Sequence, residues 1–523
     1  MVTADTATFA TSSITTLSAT YLTVGSIVFN PGASAYTLNS FVIYKSTMSG
    51  AGITNNSGIL QTINLTAVPQ FVGDEEWGVN LFTLSGSATA GTMIQYNVYG
   101  SSCADGKTDD AAQVTFASET TAGGATFVTY PGTIGAYGCH GQAGAVDFVE
   151  SSSAENATFI NNGVTVKGGN QAGVSFAANT TAANATITNH GGTVSQAYGG
   201  YASIYGEATA GDATLINDAG LVSGAFGGET DIFDTATAGN ATLIANGGVG
   251  EGGKIIFAPF AFGTPSGGTA RIEVFGNAEL DISGCATGLT TGSLEGDGLV
   301  FLGAQNLTLG TNDLSTLFSG VIQNGGSNGG SGGSLTKTGT GKLTLTGANT
   351  YSGGTAINGG TLLVNNTIGS GLGSGPVQVT TGTLGGVGTI AGAVTIGTGH
   401  DAGAVLGPGK NTVTPGKLSI GGQLTLQTDG SYRVTVNSNA SAADEIAAKR
   451  VRIRRAQIVL IDGGSTLLPP GTVFTVIDNT GRNPTSGTFA NLPDGVIVTV
   501  NGNNFQASYE GGDGNDLTLT VVP

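Results

Sequence analysis

One phrase of eight residues returns at a fixed interval in the middle of the chain. Its copies are Asn156-Ala-Thr-Phe-Ile-Asn-Asn-Gly163, Asn184-Ala-Thr-Ile-Thr-Asn-His-Gly191, Asp212-Ala-Thr-Leu-Ile-Asn-Asp-Ala219 and Asn240-Ala-Thr-Leu-Ile-Ala-Asn-Gly247, each starting 28 residues after the last. A second phrase precedes each copy: Val146-Asp-Phe148, Val174-Ser-Phe176, Ile204-Tyr205 and Ile232-Phe233. Weaker copies, Val114-Thr-Phe116 with Ala125-Thr-Phe127 and Ile255-Ile-Phe257 with Ala270-Arg-Ile272, extend the pattern over residues 111–280. The apolar runs are too short for stable helices, and a single unit has nothing to bury its apolar face against. Stacked units do, because each covers the next.

The pattern predicts an all-β fold, a right-handed parallel β-helix with two or three strands per coil and glycine at the corners, where φ turns positive. Coils about 4.8 Å apart make a long rod. The recurring asparagines are expected to stack as hydrogen-bonded ladders between coils. Phe148, Phe176, Tyr205 and Phe233, spaced 28 or 29 residues apart, are expected to form one buried column.

Composition agrees. Glycine supplies 91 of 523 residues without a collagen period, and only 10% of residues are charged, too few to clothe helical bundles. The net charge of −18 argues against a nucleic-acid partner. Three cysteines make no disulfide framework; Cys103 and Cys139 either pair across neighbouring coils or stay free. No apolar run is long enough for a membrane-spanning helix. Residues 2–20 lack a basic start and an apolar stretch, so an export leader is expected upstream of Met1, or the chain is a piece of a longer one.

We divide the sequence into a β-rich start over 1–110, a β-helix with 28-residue repeats over 111–323, a Gly/Ser/Asn-rich loop or linker at 324–334, further β-helix over 335–440 and a β-rich cap over 441–523. Alternations such as Leu343/Leu345 and Val394/Ile396 mark strands in the second half. At 441–449, Ser441 and Asp444 have capping-box spacing, so a helical turn competes there with an extended reading.

Residues 334–364 read Ser-Leu-Thr-Lys-Thr-Gly-Thr-Gly-Lys-Leu-Thr-Leu-Thr-Gly-Ala-Asn-Thr-Tyr-Ser-Gly-Gly-Thr-Ala-Ile-Asn-Gly-Gly-Thr-Leu-Leu-Val. This resembles the autotransporter-associated β-strand repeat at Leu335, Lys337, Gly339, Gly341, Leu343, Leu345, Gly347, Asn349, Thr350, Tyr351, Gly353, Thr355, Ile357, Gly360 and Leu362. Later segments, including Gly416-Lys-Leu-Ser-Ile-Gly-Gly422 and Phe474-Thr-Val-Ile-Asp-Asn479, resemble the C-terminal ends of bacterial surface proteins carrying it. The resemblance implies a passenger-type parallel β-helix on, or released from, a bacterial cell. It brings no common catalytic residues. The sequence departs from the autotransporter plan in that no run of membrane-barrel strands is read before Pro523.

Candidate chemistry is sparse. Glu229, Asp231 and Asp234 lie close together, with Asp212 about one coil earlier; paired carboxylates serve glycoside hydrolysis or bind calcium in a lyase. A lyase also needs a base, and none adjoins them along the chain. A solvated face is the plainer reading, with Asp231 opposite Ile232. Gly511-Gly-Asp-Gly-Asn-Asp516 matches the start of a calcium nonapeptide through Asp513 and Asp516, or is an ordinary turn. Trp77, beside Asp74, Glu75 and Glu76, either stacks on a sugar or is a buried cap residue. Gly100–Thr108 has the wrong glycine spacing for a phosphate loop, and His140, His190 and His400 lack metal-ligand spacing. Lys449, Arg450, Arg452, Arg454 and Arg455 give a strand with one cationic face, expected either to contact the acidic body or to meet anionic glycan or lipid heads. The expectation is an exported structural or adhesive surface protein without catalysis or cofactor, its partner a cell-surface glycan or a neighbouring or host cell. A β-helix polysaccharide lyase or hydrolase, and a non-catalytic glycan-binding module, are the alternatives.

Overall fold

The computed structural model describes residues 5–19, 23–41, 45–66, 80–102, 111–134, 141–259, 263–400, 403–409 and 414–523. Among them strand follows strand and no helix forms. Two compact units, Met1–Cys285 and Ala286–Pro523, are each a parallel β-helix.

In the first unit, strands Ala145–Phe148, Gly173–Phe176, Tyr201–Ile204 and Glu229–Phe233 belong to one parallel ladder. Strands Thr158–Asn161, Thr186–Asn189, Thr214–Asn217 and Thr242–Ala245 belong to a second, in the register the sequence repeat requires. Between the two runs a ladder one residue wide, through Thr121, Ser153, Thr181, Thr209, Thr237 and Ser266. The hydroxyls of Thr181, Thr209 and Thr237 accept from the amides of Ala183, Gly211 and Gly239 at 2.9, 3.0 and 3.1 Å. Those three residues sit at φ 49°, 63° and 58°, so each hydroxyl pins a left-handed corner. The small-residue stretches of the repeat are these corners.

Inside, rings stack along the axis. Phe116, Phe148 and Phe176 lie 4.5 and 4.7 Å apart, and Phe127 and Phe159 of the other ladder 5.2 Å apart. The expected column is corrected beyond Phe176. Its partner is Ile204, followed by Ile232 and Phe257. Tyr205 and Phe233 stand one residue later and turn outward, and Tyr205 is 37% exposed. The interval from Phe176 to Tyr205 is 29 residues, and in a strand a slip of one reverses the face.

The asparagine ladder forms. Thr129 Oγ1 donates to Asn161 Oδ1, Asn161 Nδ2 to Asn189 Oδ1 and Asn189 Nδ2 to Asn217 Oδ1, each at 2.8 Å. Asn161 and Asn189 also donate across the interior to the carbonyls of Tyr201 and Glu229, at 3.0 and 2.8 Å. The ladder ends where the next coil has Ala245, leaving Asn217 Nδ2 buried without a partner.

The second unit stacks Leu343, Leu362, Leu384, Leu406, Tyr432 and Ile458 in one inward column. Lys337 stands in another, between Leu309 and Ile357, its stem in the core and its ammonium donating to the Thr338 carbonyl. The tract 324–334 is a loop closed on itself, the Gly325 amide bonding the Gly330 carbonyl at 3.1 Å. At 441–449 the extended reading holds: Glu445–Ile453 is a strand, and Asp444 accepts from the amides of Thr435 and Gly416 at 2.8 and 2.9 Å instead of capping a helix. Pairing turns antiparallel among Val473–Asn479, Ile497–Val500, Asn503–Gly511 and Asp516–Val522.

Candidate functional site

Strand alternation puts Glu229 and Asp231 on the outer face of the first ladder and Ile232 inside. In register, Glu229 lies between Tyr201 and Lys254, and Asp231 between Ser203 and Ile256. Three coils below Asp231, Asp147 accepts from Gln113 Nε2 and from Ser175 Oγ. Between these acids lies Tyr201, whose ring covers Gly173: a Cβ there would come within 2.5 Å of two ring carbons. Burial, then the charges of Asp147, Tyr205 and Asp231, push the Tyr201 phenol up to about 12.

Asp231 stands on the outer face opposite Ile232, as alternation predicts, but is only partly exposed. Its Oδ1 is buried with no partner. Burial, then the charge and hydrogen bond of Glu229, push its carboxyl up to about 9. Lys254, missed in the sequence, arrives 25 residues after Glu229 because the corner following Ala245 is three residues shorter than the one before (28 − 25 = 3). It pairs with Glu279 at 3.0 Å and Glu251 at 3.8 Å. Burial works to lower its pKa, but Glu279, Glu251 and Glu229 outweigh this and hold the ammonium above its ordinary value. A lysine so held is a poor proton acceptor. With Lys254 held protonated by its acidic neighbours, the cluster lacks the lysine base that a lyase needs.

The remaining candidates do not join this cluster. Asp212 is exposed at the corner before the second ladder, accepting from Asn240 Nδ2 at 3.0 Å. Asp234 occupies a left-handed corner at φ 55°. Asp513 and Asp516 belong to a hairpin turn, and Asp516 Oδ1 accepts from the Asn479 amide at 2.9 Å. His190 bonds Asp218 Oδ2 at 2.8 Å, and His400 is exposed. Trp77, Cys103, Cys139 and His140 lie outside the described residues. No group of three or more acidic, His or Cys side chains able to hold a metal occurs among the described residues.

Asp231 makes the first prediction. Its folded pKa lies above the unfolded one, so the native state holds a proton that the unfolded chain releases. Stability should fall as pH rises from about 4 to about 9. Asp231→Asn keeps the shape without the charge. In thermal melts at both ends of this window, the variant should lose less stability than the parent by on the order of 2 kcal/mol. Equal losses would show that Asp231 ionises normally.

The described residues define a parallel β-helix as the class of fold. Residues 335–364 match the passenger-associated transport repeat. Among solved structures, the chain is similar to the Haemophilus influenzae Hap adhesin at 10% identity and a TM-score of 0.36, over 96% of this chain and 61% of that one. It thus spans about three fifths of that protein's length. No curated protein matches the sequence.

Proposed function

We propose that this chain is the displayed part of an exported bacterial surface protein and acts by adhesion through a catalytically inert β-helix. The observation that carries the reading is the passenger-associated transport repeat at 335–364, built directly into the coils of the second unit. Physical features support it. Backbone ladders and stacked side chains leave little loose chain for proteases, and a weakly charged surface suits an extracellular scaffold. The ammonium that Lys254 keeps between Glu279 and Glu251 weighs against the lyase alternative.

Antibody raised against the chain should label intact source cells, and protease added outside should remove the label. Beads coated with the purified chain should adhere to cell monolayers or to cells of the same kind. Label appearing only after lysis, or steady release of unsaturated or reducing ends from a polysaccharide panel, would overturn the reading.

A further inference from the structure

We propose that the outer face of Glu445–Ile453 and the turns beside it form a binding strip for a linear anionic polysaccharide. Arg450, Arg452 and Arg454 are exposed and alternate with buried Val451 and Ile453, so their side chains leave the same face. Successive members of that row are about 6.6–6.8 Å apart, two residues of extended chain. Lys449 stands at a corner, where the register between this strand and Lys417–Leu426 shifts. Arg455 follows the row at φ 58° and is exposed. Gly481 packs on the backbone of Lys449, where a Cβ would meet its carbonyl oxygen at 2.0 Å, and so brings the exposed Arg482 to the same corner.

Six of the chain's 16 Lys and Arg residues thus gather on a protein of net charge −18. Among the described residues, none of the six enters an ion pair or a side-chain hydrogen bond. Cations elsewhere behave differently: Lys417 bonds Glu445 and Asp478 at 2.6 and 3.2 Å, and Arg271 bonds Glu273 at 2.9 Å. The expected neutralising contact with the acidic body is therefore not made by this strand. Like charges packed together repel, and an anionic ligand relieves that repulsion.

The shape of the strip selects the ligand. Its guanidinium groups form a line, which fits a chain of carboxylates or sulfates better than a plane of lipid heads. Guanidinium forks suit both anions. Neutral side chains flank the line, half-buried Gln423 in the coil before, donating to the buried Thr425 hydroxyl at 2.9 Å, and exposed Ser486 in the coil after, whose hydroxyl can meet a sugar hydroxyl. The inference rests on surface display only for its biological setting, because its test uses the purified chain.

The probes are heparin and polygalacturonate, titrated by calorimetry at about 50 and 200 mM salt. Both should bind, more weakly at the higher salt, and neutral dextran should not. The combined variant Arg450→Gln, Arg452→Gln, Arg454→Gln should lose at least about tenfold in affinity and most of the salt dependence. It should melt with the parent, since all three side chains are exposed. Arg271→Gln should bind as the parent does. No binding at low salt, undiminished binding by the triple variant, or tighter binding to phosphatidylglycerol vesicles than to either polysaccharide overturns the proposal.

Discussion

Phe148→Ala should lower the unfolding free energy of the first unit by about 3–5 kcal/mol. The ring is fully buried and stacks on Phe116 at 4.5 Å and Phe176 at 4.7 Å, with Phe159 edge-on at 5.9 Å. Truncation removes the burial of one ring and the packing of three neighbours, and it leaves a hole that coils tied by parallel backbone bonds cannot close. Tyr205→Ala is the control. That ring stands on the outer face, so its loss should cost under about 1 kcal/mol. Urea unfolding of both variants measures the difference. Comparable losses would mean that the ring column is not what holds the coils together.

The second large effect is expected in the asparagine ladder. Asn189→Ala should cost about 2–4 kcal/mol, because it strands several buried groups at once. Asn161 Nδ2 loses its acceptor in the next coil, and both Asn217 Oδ1 and the Glu229 carbonyl lose a donor. Asn217→Ala should cost distinctly less. Its Nδ2 is already buried without a partner, and the next coil has alanine at the same station. Removing that amide relieves one desolvated donor, while the Thr230 hydroxyl and Asn189 Nδ2 each lose an acceptor; Asn189 Nδ2 keeps the Glu229 carbonyl. Hydrogen exchange at the amides of Tyr201–Ile204 and Glu229–Phe233 should rise more in the first variant. The reverse order would mean that the ladder contributes little and that local packing dominates.

Much of this architecture could be read from intervals alone. Thr158, Thr186, Thr214 and Thr242 pair in the order their spacing dictates. The asparagines stack because they recur in that same register. Reading failed where a side chain changed station or a corner changed length. The coils keep their 28-residue register, but Tyr205 and Phe233 stand one residue after the inward position held by Ile204 and Ile232, and a corner shortened by three brought Lys254 beside Glu229. Asp212 seemed a neighbour of the acids by distance along the chain, but it occupies a different corner of its coil.

From its own order of residues, this chain determined that it would coil, which side chains line the interior and where the passenger-type repeat lies. A period of 28 combined with strand alternation leaves few other ways to bury the apolar runs. Only the tertiary structure decided the chemistry of the outer faces. Which groups meet there depends on corner lengths, and corners bear little of the repeating pattern. The pairing of Lys254 with Glu279 beside Glu229, and the absence of an acidic partner for Arg450, Arg452 and Arg454 among the described residues, both depend on which coils meet, set by backbone register between residues distant in sequence.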